Sequence, residues 1–464
     1  MAHTLRTAML FVVVLVLASY SSAQVKTGTP PFGSFGGGPF DTINLANLNV
    51  HFTMPVLSKP GRGVPFTYSF QYDTSIWYPQ TVSGVLTWTP IQNWGLLAQT
   101  ASTTGWLLMQ SNTITCQSYI SLNHTWVVTG QNTTNSWIAY IDPFGSQHPL
   151  NATSTVNWGT CNGAQNPPSQ NATVTSPDGS GYTLNTHPID QVRSYATVTT
   201  RDGTVSYPPW NTNGGTANYT DRNGNQITVD TSGHFYDTMS SSTPVLTVAG
   251  SGTPSSAMTF TYGAPAGSAV FKLNYTNYTV ATNFGISTIH EYKSGSAVPL
   301  VTSAVLADGS QYTFVYESTP STPSAGACTP YTGTTCTTGR LASITLPTGG
   351  QITYAYSGGN NGIFSDGTVP TLTRGTPDGA WQYSQAKGSG AASTTTVTDP
   401  QGNFTVIQFQ GIYETQRQVY SGLDFRHSAP NRQYLLQRRC ISLHQHRHHT
   451  PYHSMECYEP TRQH

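Results

Sequence analysis

The sequence is poor in charged residues, which make up 8% of its 464 positions, with 19 basic and 19 acidic side chains. A formal net charge of zero gives no long-range attraction to nucleic acid or to anionic lipid. Glutamate is especially scarce and occurs only at Glu291, Glu317, Glu414, Glu456 and Glu459. The composition therefore argues against nucleic-acid binding and leaves few candidates for a pair of catalytic carboxylates.

Motifs with a recognised chemistry are also missing. The chain has no P-loop, no dinucleotide fingerprint, no C-x-x-C and no G-x-S-x-G. Gly159–Gly163 (G-T-C-N-G) has the spacing of a nucleophile elbow, but no helix pattern follows it, which favours a loop cysteine. His290-Glu291 begins a zinc-binding H-E-x-x-H, but Ser294 replaces the second histidine. We predict no catalytic, cofactor-binding or metal-ligating residue and expect that the protein is not an enzyme.

Asp221, Asn223 and Asn225 have the spacing of the first ligands of a calcium-binding loop. Gln226 occupies the position of the sharp-turn glycine, and Ser232 that of the bidentate glutamate. We therefore interpret this stretch as an Asn-Gly hairpin turn.

Long apolar runs are absent beyond the N-terminus. Arg6 precedes an unbroken apolar stretch over residues 8–18, and Ser21-Ser22-Ala23 follows it. This order predicts a signal peptide over residues 1–23. The apolar run is too short to cross a bilayer core of about 30 Å as a permanent anchor. We expect a secreted or cell-surface protein without stable membrane insertion.

The abundant residues favour β-structure. Thr, Ser, Asn and Tyr dominate, with 44 Gly and 30 Pro, which suits half-buried strands joined by tight turns. Apolar side chains alternate along Phe66–Tyr72 and again along Asn49–Met54. A buried sheet face explains both stripes better than a sugar-binding platform. Two disulfides are compatible with an oxidising compartment, Cys116 with Cys161 and Cys328 with Cys336.

Internal repeats organise the second half of the chain. Ala304–Tyr316 aligns without a gap with Ile344–Tyr356, and Asp221–Asp230 repeats the G-x-Q-I-T core of the second of these copies. In the second copy, Pro347 fits the second position of a type I turn and Gly349 the fourth. Each copy predicts a β-hairpin, and such hairpins must associate side by side because one alone is only marginally stable.

The segment Gly339–Tyr356 (G-R-L-A-S-I-T-L-P-T-G-G-Q-I-T-Y-A-Y) resembles the YD repeat of the Rhs/YD-repeat family. Residues 61–75 (G-R-G-V-P-F-T-Y-S-F-Q-Y-D-T-S) are similar to the strand segment that precedes such repeats in bacterial members. The resemblance covers residues 41–420 and is strongest at the first segment. It implies a large β-sheet that coils into a shell and encloses or displays a C-terminal effector. The chain departs from the family in having few well-formed repeats and no recognisable core segment or effector.

The tail from Ser421 onward differs in texture and contains seven of the fourteen histidines. His444 to His453, flanked by Cys440 and Cys457, could be taken for a zinc site. Back-translation read one base later permits a Thr/Asn/Gly-rich product like the body of the chain. We therefore hypothesise a frameshift near Gly422 and assign no metal site there.

These observations predict an all-β protein in which an N-terminal antiparallel β-sandwich-like region precedes a YD-repeat hairpin sheet. The predicted segments are a signal peptide at 1–23, a flexible N-terminus at 24–40, a β-rich region of one or two subdomains at 41–300, Rhs/YD-like repeats at 301–420 and a disordered tail at 421–464. We expect a non-catalytic exported scaffold, either a shell segment around an effector or a surface interaction module. Its partner would be a protein effector or a cell-surface polysaccharide. The alternative is a carbohydrate-binding or adhesive β-sandwich that uses the aromatic region Phe66–Trp94, while oligomeric state, ligand and an enzymatic role for scattered aspartates stay open.

Overall fold

The computed structural model describes residues 25–120, 125–188, 194–265, 267–320, 336–421, 435–436, 439–440 and 457–458. Strands dominate this part of the chain, which confirms the all-β prediction. Its helical structure is limited to a single-turn helix α1 (Ala101–Thr104) and a 3₁₀ turn at Gln92–Gly95. No helix in the described ranges is long and apolar enough to cross a membrane.

Three small sheets form before residue 166. The first is five-stranded and antiparallel in the order β1-β2-β3-β4-β7, and the second pairs β5 with β6. The third has the order β11-β10-β9-β8 and contains the longest strands. The strands are β1 (Phe35–Gly37), β2 (Thr42–Asn44), β3 (Val50–Lys59), β4 (Phe66–Asp73), β5 (Trp77–Val82), β6 (Val85–Pro90), β7 (Leu96–Leu97), β8 (Trp106–Ile120), β9 (Thr125–Ile141), β10 (Gln147–Cys161) and β11 (Ala164–Gln165).

The rest of the chain forms one 20-stranded sheet, the meander, in which each strand pairs antiparallel with the next along the sequence. One additional parallel contact joins β21 to β24. A separate pair, β32 (Arg439–Cys440) with β33 (Cys457–Tyr458), lies beyond it. The meander strands are β12 (Thr173–Thr175), β13 (Thr183–Pro188), β14 (Ser194–Thr199), β15 (Val205–Tyr207), β16 (Ala217–Thr220), β17 (Gln226–Val229), β18 (His234–Asp237), β19 (Leu246–Ala249), β20 (Met258–Ala264), β21 (Gly267–Val280), β22 (Val298–Val305), β23 (Gln311–Ser318), β24 (Cys336–Thr345), β25 (Gln351–Ser357), β26 (Thr371–Thr376), β27 (Gly379–Lys387), β28 (Ala392–Thr398), β29 (Phe404–Gln410), β30 (Tyr413–Tyr420) and β31 (Leu435–Leu436).

One five-residue turn recurs at the hairpin ends. The N–H of its fourth residue, a glycine, donates to the carbonyl of the first, as from Gly349 to Leu346 at 2.8 Å and from Gly309 to Leu306 at 3.0 Å. These two glycines have φ of +86° and +84°, a region that side chains disfavour. The type I turn predicted around Pro347 is thus confirmed, with the glycine adding the bulge of a longer hairpin loop.

An aspartate at the first turn position stabilises the turn with further hydrogen bonds. The Oδ1 atom of Asp221 accepts hydrogen bonds from the backbone N–H groups of Asn223 and Asn225, both at 2.8 Å. These hydrogen bonds satisfy the carboxylate within its own turn. The turn joins β16 to β17, which pair antiparallel as a hairpin. The Asn-Gly hairpin interpretation is confirmed.

The N-terminal five-stranded sheet packs face to face on the meander, and the two sheets share one hydrophobic core. Aromatic rings join them, with centroid distances of 6.0 Å between Phe52 and Phe314 and 4.6 Å between Phe70 and Phe260. The β-sandwich therefore forms between the first sheet and the hairpin sheet. Because β21 pairs with β22, the meander also runs unbroken across the predicted boundary between residues 300 and 301.

The segment predicted to be flexible at 24–40 is instead held in place from residue 25 onward. Gly28 N–H donates to Asp73 Oδ1 at 2.7 Å, and Thr29 N–H donates to Ser146 Oγ at 2.9 Å. The Ser34 hydroxyl also bonds the carboxylate of Glu414. The Gly- and Pro-rich composition indicated a mobile chain, but buried polar groups elsewhere in the fold anchor it.

Candidate functional site

The aromatic stripe considered as a sugar platform is buried. Phe66, Tyr68, Phe70 and Tyr72 are at most 6% exposed, which confirms the prediction of a buried sheet face. Trp77 is 1% exposed, and its indole N–H donates to the carbonyl of Thr338 at 2.9 Å. These rings hold the sandwich together and cannot stack on a ligand.

Cys161, the cysteine of the G-T-C-N-G segment, also has a structural role. Cys161 forms a disulfide with Cys116, so it is not available as a nucleophile, and this predicted pairing is confirmed. Cys336 is disulfide-bonded as well, and its predicted partner Cys328 lies outside the described residues. His290 contributes backbone hydrogen bonds to the β5–β6 hairpin. The histidine cluster at 444–453 also lies outside the described residues.

A buried imidazole lies between two carboxylates where the third sheet meets the start of the meander. His148 Nδ1 is 2.7 Å from Asp178 Oδ2, and its Nε2 is 3.2 Å from Asp142 Oδ2. The histidine side chain is 2% exposed. An open cavity of about 540 Å³ borders this cluster, with Tyr182 and Arg201 in its lining.

The two carboxylates hold His148 from both sides, because each ring nitrogen lies within hydrogen-bond distance of one of them. Burial alone would raise the pKa of Asp178, but hydrogen bonds from the Ser180 hydroxyl and N–H and from His148 lower this pKa to about 2. We interpret the cluster as a structural link between β10, which carries His148, and the two turns that carry Asp142 and Asp178.

No group of three or more His, Cys, Asp or Glu side chains in the described ranges is arranged to hold a metal ion.

A second buried pair nearby shows the same structural use of histidine. Burial would lower the pKa of His51, but the Asp73 carboxylate, 3.2 Å from its Nδ1, raises this pKa together with Asp142 and Gln71. That carboxylate also receives the N–H of Gly28, which ties the N-terminal segment to the sandwich.

The arginine of the G-R-L segment forms a buried clamp. Arg340 is 2% exposed and donates from Nε and Nη2 to the carboxylate of Glu317 at 2.8 and 2.9 Å. Its Nη1 donates to the carbonyl of Gly362 at 2.7 Å. The guanidinium carbon lies 4.2 Å from the ring centroid of Tyr356 and 5.0 Å from that of Phe284. The residue that carries the family resemblance therefore has a packing role.

The most exposed feature is the outer half of the third sheet. We call residues 110–119 of β8 and 125–134 of β9 the arm. No Asp, Glu, Lys or Arg occurs in residues 106–141. Hydroxyl and amide side chains predominate in the arm, and most of its side chains are exposed, Ile114, Val127 and Val128 among them, whereas the inner halves of the same strands are largely buried. The arm therefore projects an uncharged hydrogen-bonding surface.

The disulfide holds the arm in shape. Cys116 on β8 and Cys161 on β10 flank β9, and their Cα atoms are 5.3 Å apart. Strands two apart in a flat sheet lie about 10 Å from each other, so the sheet is sharply folded here. Gly130 of β9 lies opposite Cys116, where a Cβ atom would approach backbone atoms of Thr160 to 2.6 Å. Glycine is required at this crossing.

Two aromatic rings lie at the outer end of the arm. Tyr119 and Trp126 face each other across β8 and β9, with ring centroids 5.4 Å apart and a tilt of 56°. Trp126 is 65% exposed and Tyr119 is 49% exposed, in contrast to the buried tryptophans of the sandwich. Trp126 therefore offers an exposed aromatic surface on which a ligand could stack.

Sequence reasoning missed the arm and both buried histidines. The sequence shows that residues 106–141 contain no Asp, Glu, Lys or Arg. However, the two long strands in this stretch lack the strict alternation of apolar and polar residues that predicts a half-buried strand. No local pattern links His148 to Asp178. No protein-family model matches the chain, and none of the curated proteins matches it either. The Rhs/YD resemblance therefore stays a prediction.

Proposed function

We propose that the protein is an exported, non-catalytic β-scaffold of the Rhs/YD-repeat type, a wall segment that encloses or displays another polypeptide. The observation that carries the proposal is the meander, 20 strands joined in chain order into one sheet. Repeated Gly-containing turns build this sheet from units that are too small to be stable alone. Further hairpins joined by the same turns would extend such a sheet.

The packing supports a wall with one end closed. The N-terminal sheet and its connecting segments contact the meander from β18, through Phe235 and Phe66, to β26, where Arg374 binds Asp41 at 2.6 and 2.7 Å. The contacts continue to β28, where the Thr395 hydroxyl donates to the carbonyl of Leu45 at 2.6 Å. On β30, where Glu414 bonds Ser34, side chains alternate between exposed and half-buried. The covered part would act as a closed end, and the sheet would continue from its C-terminal side.

Reading the gene past the codon for Tyr420 tests this proposal. We expect the shifted frame to encode further G-R-L and Y-x-Y cassettes, and the extended protein to protect its C-terminal segment from added protease. An uninterrupted frame through residue 464 would contradict the frameshift. Hydrolysis of a polysaccharide or peptide by the purified chain would contradict the non-catalytic role.

Carbohydrate binding is the second candidate, and the arm favours it over the buried aromatic region from which it was first inferred. Sugar rings present apolar faces and hydroxyl edges, which match the Tyr119–Trp126 pair and its uncharged hydroxyl and amide neighbours. Gel electrophoresis with embedded neutral polysaccharides, such as xylan and galactomannan, would show retardation. Retardation should disappear in Trp126→Ala and persist in Tyr207→Ala, a control that alters another exposed ring, 43% accessible. Equal mobility with and without polysaccharide would exclude this role for the glycans tested.

A further inference from the structure

Among the described residues, contacts with the outer edge of β8 occur near the base of the strand. Leu107 N–H donates to the carbonyl of Pro209 at 2.9 Å, and Leu107 O accepts from Asn211 N–H at 2.8 Å. The Asn211 side chain then continues this pairing, accepting from Met109 N–H at 2.9 Å and donating to Met109 O at 2.7 Å. The backbone groups of these odd-numbered β8 residues therefore point toward the edge.

The same alternation continues along the arm. Both irregularities in the pairing of β8 with β9 place the extra residue in β9, so β8 itself stays regular. The N–H and C=O groups that point outward are therefore those of Ser111, Thr113, Thr115 and Gln117. In the ranges that the structure describes, β8 is the terminal strand of its sheet and no strand pairs with this edge.

Such an edge is unusual because proteins generally protect long edge strands. Proline, inward-pointing charge or exposed lysine is the common device, and residues 106–120 contain none of these. Pairing with β9 holds β8 extended and the disulfide ties it to β10, so little further ordering is needed for another strand to pair with it. The arm is thus prepared for strand addition.

We propose that β8 of a second copy of this chain pairs antiparallel with this edge, about a two-fold axis near Thr115, to form one continuous eight-stranded sheet. A two-fold axis brings the same edge of each copy together, so the strand must be complementary to itself. This edge meets that condition because an uncharged strand places no like charges opposite each other, and Thr–Thr pairs across strands are favourable. The proposal is independent of the scaffold function.

Sedimentation equilibrium on the full-length protein tests the proposal with substitutions at the edge. Thr113→Pro removes a backbone N–H that has no partner among the described residues of one copy, and proline is tolerated at such edge positions. Thr115→Lys places two ammonium groups opposite each other at the two-fold axis. We expect the unmodified chain to be dimeric and each variant to raise the dimer dissociation constant at least about tenfold, or 1.4 kcal/mol.

The matched control is Thr134→Lys, which adds the same charge to an exposed position on β9, an interior strand of the same sheet. It should leave the dissociation constant within about twofold of the unmodified value, a change of under 0.5 kcal/mol. Near-ultraviolet circular dichroism should be unchanged in every variant, which separates loss of pairing from loss of folding. A monomeric unmodified chain at about 100 μM, where a weak dimer would already form, overturns the proposal. A dimer that persists in both edge variants overturns it equally.

Discussion

Replacing Arg340 by methionine should uncouple β24 from β23 and from the loop that follows β25. The guanidinium donates to both carboxylate oxygens of Glu317 and to the carbonyl of Gly362, and it lies over the ring of Tyr356. Methionine fills similar space and donates no hydrogen bond. The Glu317 carboxyl group would then lose its bidentate partner in a largely buried place, where the Thr338 hydroxyl still donates to it at 2.6 Å.

The magnitude follows from burial. Removing one partner of a buried ion pair costs about 3–5 kcal/mol, because the other charge stays desolvated and unpaired. The Arg340 side chain is 2% exposed and that of Glu317 is 18% exposed. Since Glu317 retains some contact with water, we expect the lower end, about 3 kcal/mol. Arg340→Lys should recover less than half of this, because an ammonium cannot make the bidentate contact or the planar stacking.

Urea unfolding followed by tryptophan fluorescence measures this cost, and a double-mutant cycle with Glu317→Gln isolates the pair. We expect a coupling energy of about 2 kcal/mol between the two positions. A cost below about 1 kcal/mol for Arg340→Met, in the range of exposed pairs, would refute the clamp. Strict additivity of the two substitutions would refute it too.

Three further outcomes follow from packing and charge. Cys116→Ser should cost about 4 kcal/mol in urea, the closure entropy of a loop with a 45-residue separation, whereas an unchanged midpoint would contradict this. Phe70→Ala should cost about 3–5 kcal/mol as a fully buried ring. Phe144→Ala, whose ring is 60% exposed, should stay within about 0.5 kcal/mol, and equal effects would disprove the assigned core. Because the pKa of Asp178 is lowered from 3.8 to about 2, its charge stabilises the fold above pH 3.8 and this gain is lost as the pH falls through about 2. The stability gap to Asp178→Asn should narrow over that window, and a pH-independent gap would show that the shift is absent.

Local features were predictable from the sequence. Alternation along Phe66–Tyr72 identified a buried strand face, and Pro347 with Gly349 identified a type I turn, because neighbouring residues alone determine both. The Cys116–Cys161 pairing was one of two disulfides named as compatible with an oxidising compartment, although the sequence alone could not prove it. Composition was sufficient for the all-β class.

Contacts between distant segments were not predictable in the same way. Phe52 meets Phe314, and Asp41 meets Arg374, although no local pattern records either pair. The N-terminal segment looked flexible because Gly and Pro were considered without their partners. Its backbone N–H groups bond to side chains such as Asp73, which only the folded chain brings within reach.

Hydrogen exchange with mass spectrometry on the intact chain tests the shared core most directly. If the N-terminal sheet and the meander form one sandwich, amides of β3 and β4 should exchange as slowly as those of β20 to β25 and through the same global opening. Fast exchange in β3 and β4 beside a protected meander would contradict a core common to both sheets.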